Sequence, residues 1–468
     1  MINFTGTYTD KYQLAMAQVY FLKGQANQTA IFDYFFRKLP FNGGYAIFAG
    51  LDDLLNALEN FHFEKPDLAY LASQGFHPDF LNYLKAFEFK GTIYACHEGE
   101  PIFPFSPILT VEANIIEAQL IETLILNILN FQTLIATKAS RIRQVAGERI
   151  LVDFGLRRAQ GPGGYYASRA AVIGGFNATS NVLAGRDYEI PILGTMAHSF
   201  VQSYDDELSA FRDFALCWPE DCVLLVDTYN TLESGIPNAI KIGNEMEAGG
   251  YRLKGIRLDS GDLAYLAKKA RQMLDAEGLN YVKITVSNQL DESVIKSLVE
   301  QDSPIDSFGV GTNLAIGWPD AALDGVYKLA LANNKPRIKL SENLNKISLP
   351  YKKQVYRVWD NNSFLGADVI ALFDENELDV MYHPFETEKS LSLKGYKKEP
   401  LLHKVMEKGA LLLPPQNISQ IAQYCFERLA NLPREYKRIT NPHLYKVGLS
   451  QKLNSQRVQL IEEHKKIN

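Results

Sequence analysis

Four short stretches of the chain carry residues able to bind anions or move protons, and each follows an apolar run. In GIRLDSGDLAYLAKKARQML a strand is expected to end at Leu258 or Asp259 and a helix to begin near Asp262. Ser260 and Gly261 would then present free backbone amides at a helix start, and Gly261 lets a phosphate approach the main chain. The plainer alternative is an N-cap by Asp259 or Ser260. In FGVGTNLA, Gly309, Gly311, Thr312 and Asn313 follow a second strand. One Gly-x-Gly is weak, but two such turns on nearby parallel strand ends point to phosphate. In VDFGLRRAQGPGGYYASRAA, Arg157 and Arg158 lie just past a strand end, suited to gripping a carboxylate or phosphate; the alternative is a solvated pair. Asp153 sits inside that strand, where a charge without partners would be costly. In GTMAHSF, His198 is the only histidine between His97 and His383. It follows ILGT, an expected strand end, which would put it on the same rim; an ordinary core or surface histidine is the competing reading.

The elements that must hold these residues follow from the apolar pattern. ILVDFG, DCVLLVDT, LKGIRLD, VKITVSN and DSFGVG are short apolar runs separated mostly by helical segments. Strands buried on both faces and alternating with helices indicate a parallel sheet. The number of units favours a closed or nearly closed α/β barrel over an open doubly wound sheet. Upstream, TDKYQLAMAQVYFLKG reads as a capped helix, IFDYFFRKLP as a strand, residues 66–88 as helical, and GTIYACHEGEPIFPFSPILTVEA as two or three short strands broken by prolines. Downstream, the stretch from about 325 to Asp360 reads as strands and turns, and the chain from about 415 as mostly helical and charged. The expected organisation is an α/β sandwich over 1–130 with a returning segment near 325–400, a barrel over 131–324, and a mostly helical segment over 401–468.

Composition narrows the function class. The 468 residues exceed one compact core, with 46% hydrophobic and 22% charged residues, as in ordinary globular proteins. A net charge of −6 argues against a sequence-independent nucleic-acid binder, so no nucleic-acid partner is expected. Four dispersed cysteines without a CxxC pair suit a reducing cytoplasm. The N-terminus lacks a signal-peptide pattern, and the apolar run Ile115–Ala136 is interrupted by Glu117, Gln119, Glu122, Asn127, Asn130 and Gln132. A buried or interface helix is therefore expected there, and no membrane partner. No Walker loop, Rossmann fingerprint, HExxH or GxSxG occurs, and the histidines are too scattered for a His-rich metal site.

Taken in order, these motifs closely resemble the nicotinate phosphoribosyltransferase family. The likeness runs through TDKYQLAMA, FDYFFRKLPFNGGYAIFAGL, LIETLILNILNFQTLIATKASRI, VDFGLRRAQGPGGYYASRAAVIGGFNATSNVLAG, GTMAHSF, GIRLDSGDL, ITVSN and FGVGTNL, most of the chain. The resemblance implies a type II phosphoribosyltransferase fold, an α/β sandwich packed on an incomplete TIM-type barrel, in a cytoplasmic homodimer with shared active sites. It implies transfer of phosphoribose from 5-phosphoribosyl pyrophosphate to nicotinate, giving nicotinate mononucleotide and pyrophosphate, in NAD salvage. It implies coupling to ATP hydrolysis through a phosphohistidine at His198, with Mg²⁺ or Mn²⁺ as cofactor. Phe154 would stack on the pyridine ring and Tyr12 would cover its other face, from the neighbouring subunit. Arg157, Thr195 and Arg257 would contact nicotinate. Asp259 would approach ribose or a magnesium ion, and Ser287, Gly311 and Thr312 would cradle the 5′-phosphate. Ser260 and Gly261 would then face ribose, magnesium and pyrophosphate.

The resemblance also frames the competitors. Nicotinamide phosphoribosyltransferases carry an Asp near the place of Ser180; an Asp there would repel the nicotinate carboxylate, which Ser180 does not. An aldolase or decarboxylase barrel would need a lysine or metal cluster at the strand ends, where this chain has Asp, Ser, Gly and Arg. A catalytically silent relative would have lost such groups.

Overall fold

The computed structural model describes residues 4–341, 348–361, 363–386, 388–412, 414 and 416–467. The chain forms two compact units, one made of Met1–Thr137 with Ala322–Asn468 and the other of Lys138–Ala321.

The second unit is built on six parallel strands: Ile150–Asp153, Ala178–Thr179, Val223–Leu225, Gly255–Leu258, Lys283–Ser287 and Ser307–Val310. In the sheet the first strand lies between the second and the last, and the other three follow in reverse chain order. A parallel bridge from Thr179 to Ile192 extends the edge beyond the second strand. The strands are short and almost wholly buried, because helices cover them; Ile256, Leu258, Ile284, Val286, Phe308 and Val310 are each 0% exposed. Gly163–Ile173, Ile236–Ala248, Leu263–Ala276 and Glu292–Glu300 are the main helices between them. All six strands run the same way, so their carboxyl ends share one edge, where an α/β sheet places its ligands.

The first unit holds two larger sheets. Thr29–Phe36 pairs antiparallel with both Leu109–Asn114 and Gly325–Ala332, so residues nearly 300 positions apart become neighbours. Thr92–Ala95, His403–Glu407 and Ala410–Leu411 complete that side of a seven-stranded sheet. The six-stranded sheet is centred on Lys353–Asp360, Ser363–Leu372 and Lys446–Ser450. The overall class is mixed α/β.

Several local expectations change. The segment after residue 400, expected to be mostly helical, contributes the strands His403–Glu407, Ala410–Leu411 and Lys446–Ser450 beside the helices Ile418–Asn431 and Gln451–Ile467. These strands are short; His403–Glu407 and Lys446–Ser450 are held by the distant strands Thr92–Ala95 and Ser363–Leu372, and Ala410–Leu411 by a hairpin with His403–Glu407. The 66–88 stretch divides into Lys65–Ser73 and Pro78–Lys85, separated where Pro78 opens a new helix. The apolar run from Ile115 divides at Ile121 into Ile115–Leu120 and Glu122–Ala146. The strand-and-turn reading after 325 holds for the described residues; 342–347 lie outside them, as do the first three residues of the N-terminus. All four cysteines are free thiols. Among the described residues no helix is long and apolar enough to cross a membrane.

Candidate active site

The strand Ile150–Asp153 delivers Asp153 to the carboxyl edge of the parallel sheet. Its side chain is 1% exposed and accepts from the Gly155 amide at 2.7 Å, the Ser168 hydroxyl at 2.7 Å and the Thr179 hydroxyl at 2.8 Å. Burial holds the carboxyl above its ordinary pKa, and these three bonds oppose that rise only in part. Asp153 is therefore a brace that shapes the turn, which answers the cost of a charge in a strand. Its carbonyl also accepts from the Ser180 amide at 2.8 Å, fixing Ser180 at the neighbouring strand end.

Phe154 follows at once. Its amide donates to the Val310 carbonyl at 2.8 Å, and its ring lies against Gly309, where a Cβ would stand 2.4 Å from Cε2. Gly309 is thus required for the close approach of an aromatic face rather than for a phosphate. Gly311 caps the short helix Thr312–Ala315, and Thr312 opens it. Arg157 and Arg158 lie exposed in the loop beyond Phe154.

Arg257 is the organiser of the edge. Its guanidinium is 5.3 Å from the Phe154 ring centroid. Nε donates to the Ser287 hydroxyl at 2.9 Å, Nη1 to the Thr195 hydroxyl at 2.9 Å, and Nη2 to Asp259 Oδ1 at 3.1 Å. Ser287 also donates to Asp259 Oδ1. One planar cation therefore aligns groups from three segments.

Asp259 and Ser260 are held in place by a residue the sequence reading did not single out. Asp227 Oδ2 accepts from the Asp259 amide at 2.7 Å and from the Ser260 hydroxyl at 2.8 Å. Its other oxygen, Oδ1, is buried and has no hydrogen-bond partner. That oxygen is 4.0 Å from His198 Nε2, and Asp259 Oδ2 is 3.9 Å from the same nitrogen. The opposite ring nitrogen, Nδ1, is 3.0 Å from the Thr228 hydroxyl. His198 is therefore oriented from one side and faces two carboxylate oxygens on the other, with 38% of its side chain open to solvent. The DCVLLVDT run was recognisable as a strand, but Asp227 and Thr228 follow it without the glycine that marks the other turns.

Asp262, not Asp259 or Ser260, caps the helix Leu263–Ala276, accepting from the Tyr265 amide at 3.1 Å. Asp259 and Ser260 are thereby left for the site, and Gly261 adopts φ 79°, a left-handed value that suits glycine. ILGT is no strand end; only Ile192 bridges the sheet, and His198 instead begins the helix His198–Gln202. Tyr12 stands exposed on the helix Lys11–Leu22 of the first unit. Among the described residues no group of three or more His, Cys, Asp or Glu is arranged to hold a metal ion.

Comparison with known proteins agrees across the chain. The family model described as the nicotinate phosphoribosyltransferase (NAPRTase) family matches residues 150–363. Its N-terminal-domain and C-terminal-domain models match 7–130 and 352–457. The chain is similar to the nicotinate phosphoribosyltransferase of Bacillus subtilis (strain 168), 46% identical over 471 residues, covering 98% of this chain and 95% of that one. It is 36% identical to the nicotinate phosphoribosyltransferase of Caenorhabditis elegans over 512 residues, covering 95% and 91%. The solved structure of human nicotinic acid phosphoribosyltransferase is similar with a TM-score of 0.87 at 31% identity, covering 97% of this chain and 99% of that one.

Proposed function

This chain belongs to the nicotinate phosphoribosyltransferase family, an enzyme family of NAD biosynthesis, and from that premise we propose how its own residues work. The substrates are nicotinate and 5-phosphoribosyl pyrophosphate. The pyridine nitrogen attacks the anomeric carbon as pyrophosphate leaves, so positive charge builds on the sugar as in glycoside hydrolysis. Phe154 offers one flat face to the ring, with Tyr12 of a neighbouring subunit covering the other in a homodimer. Arg257, already locked by Ser287, Thr195 and Asp259, meets the nicotinate carboxylate together with Thr195 and Arg157. Ser180 leaves room for that carboxylate without repelling it. Ser287, Gly311 and Thr312 receive the 5′-phosphate, and Ser260 and Gly261 lie toward ribose and pyrophosphate. We read the six-stranded sheet as an incomplete barrel, open between Ile192 and Val223; the adjacency of its first and last strands supports this.

The same turnover is coupled to ATP hydrolysis through phosphorylation of His198. The observation that carries this is the pair of carboxylate oxygens around Nε2, with Nδ1 held by Thr228. Thr228 thereby fixes the ring so that Nε2 points toward the two carboxylates and the open side of the site. A magnesium ion fits the donor set. Asp227 Oδ1 is buried without a hydrogen-bond partner and, like Asp259 Oδ2, lies within 4.0 Å of His198 Nε2; Mg²⁺ uses one or two carboxylates and completes its shell with water and phosphate oxygens. When bound it would neutralise charge on the departing pyrophosphate. The cytoplasm, where ATP and phosphoribosyl pyrophosphate are available, is the proposed compartment.

The test uses purified protein with nicotinate, phosphoribosyl pyrophosphate and Mg²⁺, followed by chromatography of the product. Nicotinate mononucleotide should form, faster and further toward completion with ATP. Its absence with and without ATP would refute the reading. Equal turnover of nicotinamide would instead favour the nicotinamide branch.

A further inference from the structure

The first unit contains a cavity of about 20 Å³ lined by Asp33, Lys328 and Arg457 and walled by Phe35, Ile370 and Leu449. Arg457, on the helix Gln451–Ile467, is 6% exposed. Its Nη1 donates to the Pro384 carbonyl at 2.6 Å, and its Nε has no hydrogen-bond partner. No carboxylate pairs with it among the described residues. Burial alone lowers its pKa, with no opposing carboxylate. Lys328 is half-buried and its amine donates to the Tyr327 carbonyl at 2.9 Å. The one carboxylate at the cavity, Asp33, is already neutralised by Lys353 at 2.8 Å and accepts from the Thr110 hydroxyl at 2.8 Å.

Two cations, Arg457 and Lys328, therefore line the cavity beside an Asp33 that Lys353 already neutralises, and Glu122 is the carboxylate whose charge acts on Lys328. A buried guanidinium with an orphaned donor is expensive unless charge and hydrogen bond are both supplied. A water molecule in the cavity would satisfy the donor and leave the charge. We propose that this cavity is a structural site for a small monatomic anion of the halide class, held by Arg457 Nε and the Lys328 ammonium. A cavity of this size suits a monatomic anion and is far too small for the nucleotide substrates. An anion there neutralises the last helix where it packs against the strand Ser363–Leu372 and the Pro384–Phe385 turn. Binding is a feature of the folded state alone, so it adds stability by mass action.

The experiment has two arms on the full-length protein. Thermal melting is followed at constant ionic strength as sodium gluconate is replaced by sodium chloride or sodium bromide. The wild type should gain a saturable shift of about 2 °C. Arg457→Met, which keeps the apolar stem and removes the charge, should lose that dependence. Crystals grown at the saturating bromide concentration should show an anomalous peak beside Arg457 Nε. An empty cavity in that map would overturn the proposal, as would equal halide responses in wild type and variant. A bromide peak without any melting shift means an adventitious ion only, and also overturns it. Should Arg457→Met fail to fold, the wild-type halide titration and the anomalous map together decide.

Discussion

Two clusters of opposite charges in this molecule use the same residue types and differ in how completely they are paired. In the first unit, Arg357 and Arg428 meet Glu100, Asp368 and Glu399. Arg357 is 0% exposed; Nε and Nη2 reach Asp368 at 3.0 and 2.9 Å, Nη1 donates to Glu100, and Nη2 also donates to the Pro101 carbonyl at 2.8 Å. Burial alone would lower its pKa, but Asp368, Tyr445 and Glu100 more than offset this and hold it far above the ordinary value. Arg428 binds Glu100 at 2.8 Å and Glu399 at 2.9 Å. In the second unit, Arg257 is similarly locked, yet next to it Asp227 Oδ1 has no partner and His198 stays open to solvent. A saturated cluster has no capacity left for a ligand. The parallel-sheet edge keeps acceptors and an imidazole in reserve, and that reserve is what a phosphoryl group, a magnesium ion or a substrate can use.

Breaking the saturated cluster should give the largest effect. Arg357→Met leaves Glu100 and Asp368 buried without their shared cation, a loss of about 3–5 kcal/mol. The expected result is insoluble or unfolded protein, checked by circular dichroism and expression yield. A soluble variant with unchanged melting temperature would mean the cluster contributes little.

Breaking the rim should spare the fold and remove activity. Arg257→Ala is expected to lower kcat/KM for nicotinate by about 10²–10³-fold, as for loss of a preorganised electrostatic group, with an ordinary melting curve. Asp227→Asn is a finer probe. It keeps an oxygen for the Asp259 amide and Ser260 hydroxyl but removes the charge facing His198. ATP stimulation should fall about tenfold, more than the ATP-independent rate falls through the weaker hold on Mg²⁺. Equal loss of both rates would mean that Asp227 acts only by shaping the turn.

The smallest effect belongs to a stacked pair, His97 and His403, with ring centroids 4.3 Å apart. Burial lowers the pKa of both; Arg428 adds to this at His97, and His97 adds to it at His403, against the opposing pull of Glu399. Their folded values therefore lie below the unfolded value of about 6.5. As pH falls through that value the unfolded chain takes up protons that the folded chain refuses, so stability declines from about pH 6.5 downward. Melting temperatures between pH 7.5 and 5 should show this decline, and His97→Gln should flatten it.

The sequence makes some of this legible and hides the rest for physical reasons. The parallel sheet is readable because each strand is continuously apolar and ends in small or charged residues. Asp153 is conspicuous because a carboxylate inside a strand demands partners, and Ser168 and Thr179 supply them. Asp227 is not conspicuous, since it ends a strand as many loop carboxylates do; only the fold reveals that it clamps Asp259. His198 is placed by a loop and a short helix rather than by a strand, so spacing alone misjudged its support. The returning strands Gly325–Ala332 and His403–Glu407 depend on partners far away in the chain, which no local periodicity encodes. The resemblance to a known family supplied the assignment of His198, Arg257 and Ser287 to one site; the turns alone indicated only that phosphate is bound nearby.

The central claim is that His198 carries a phosphoryl group during a nicotinate phosphoribosyl transfer. It is tested most directly by incubating wild type and His198→Ala with γ-labelled ATP and Mg²⁺, and measuring acid-labile, base-stable label on the protein beside nicotinate mononucleotide formation. The account predicts label on wild type alone, and a variant that still transfers slowly but no longer responds to ATP. A labelled His198→Ala protein, or one that keeps full ATP stimulation, would contradict it.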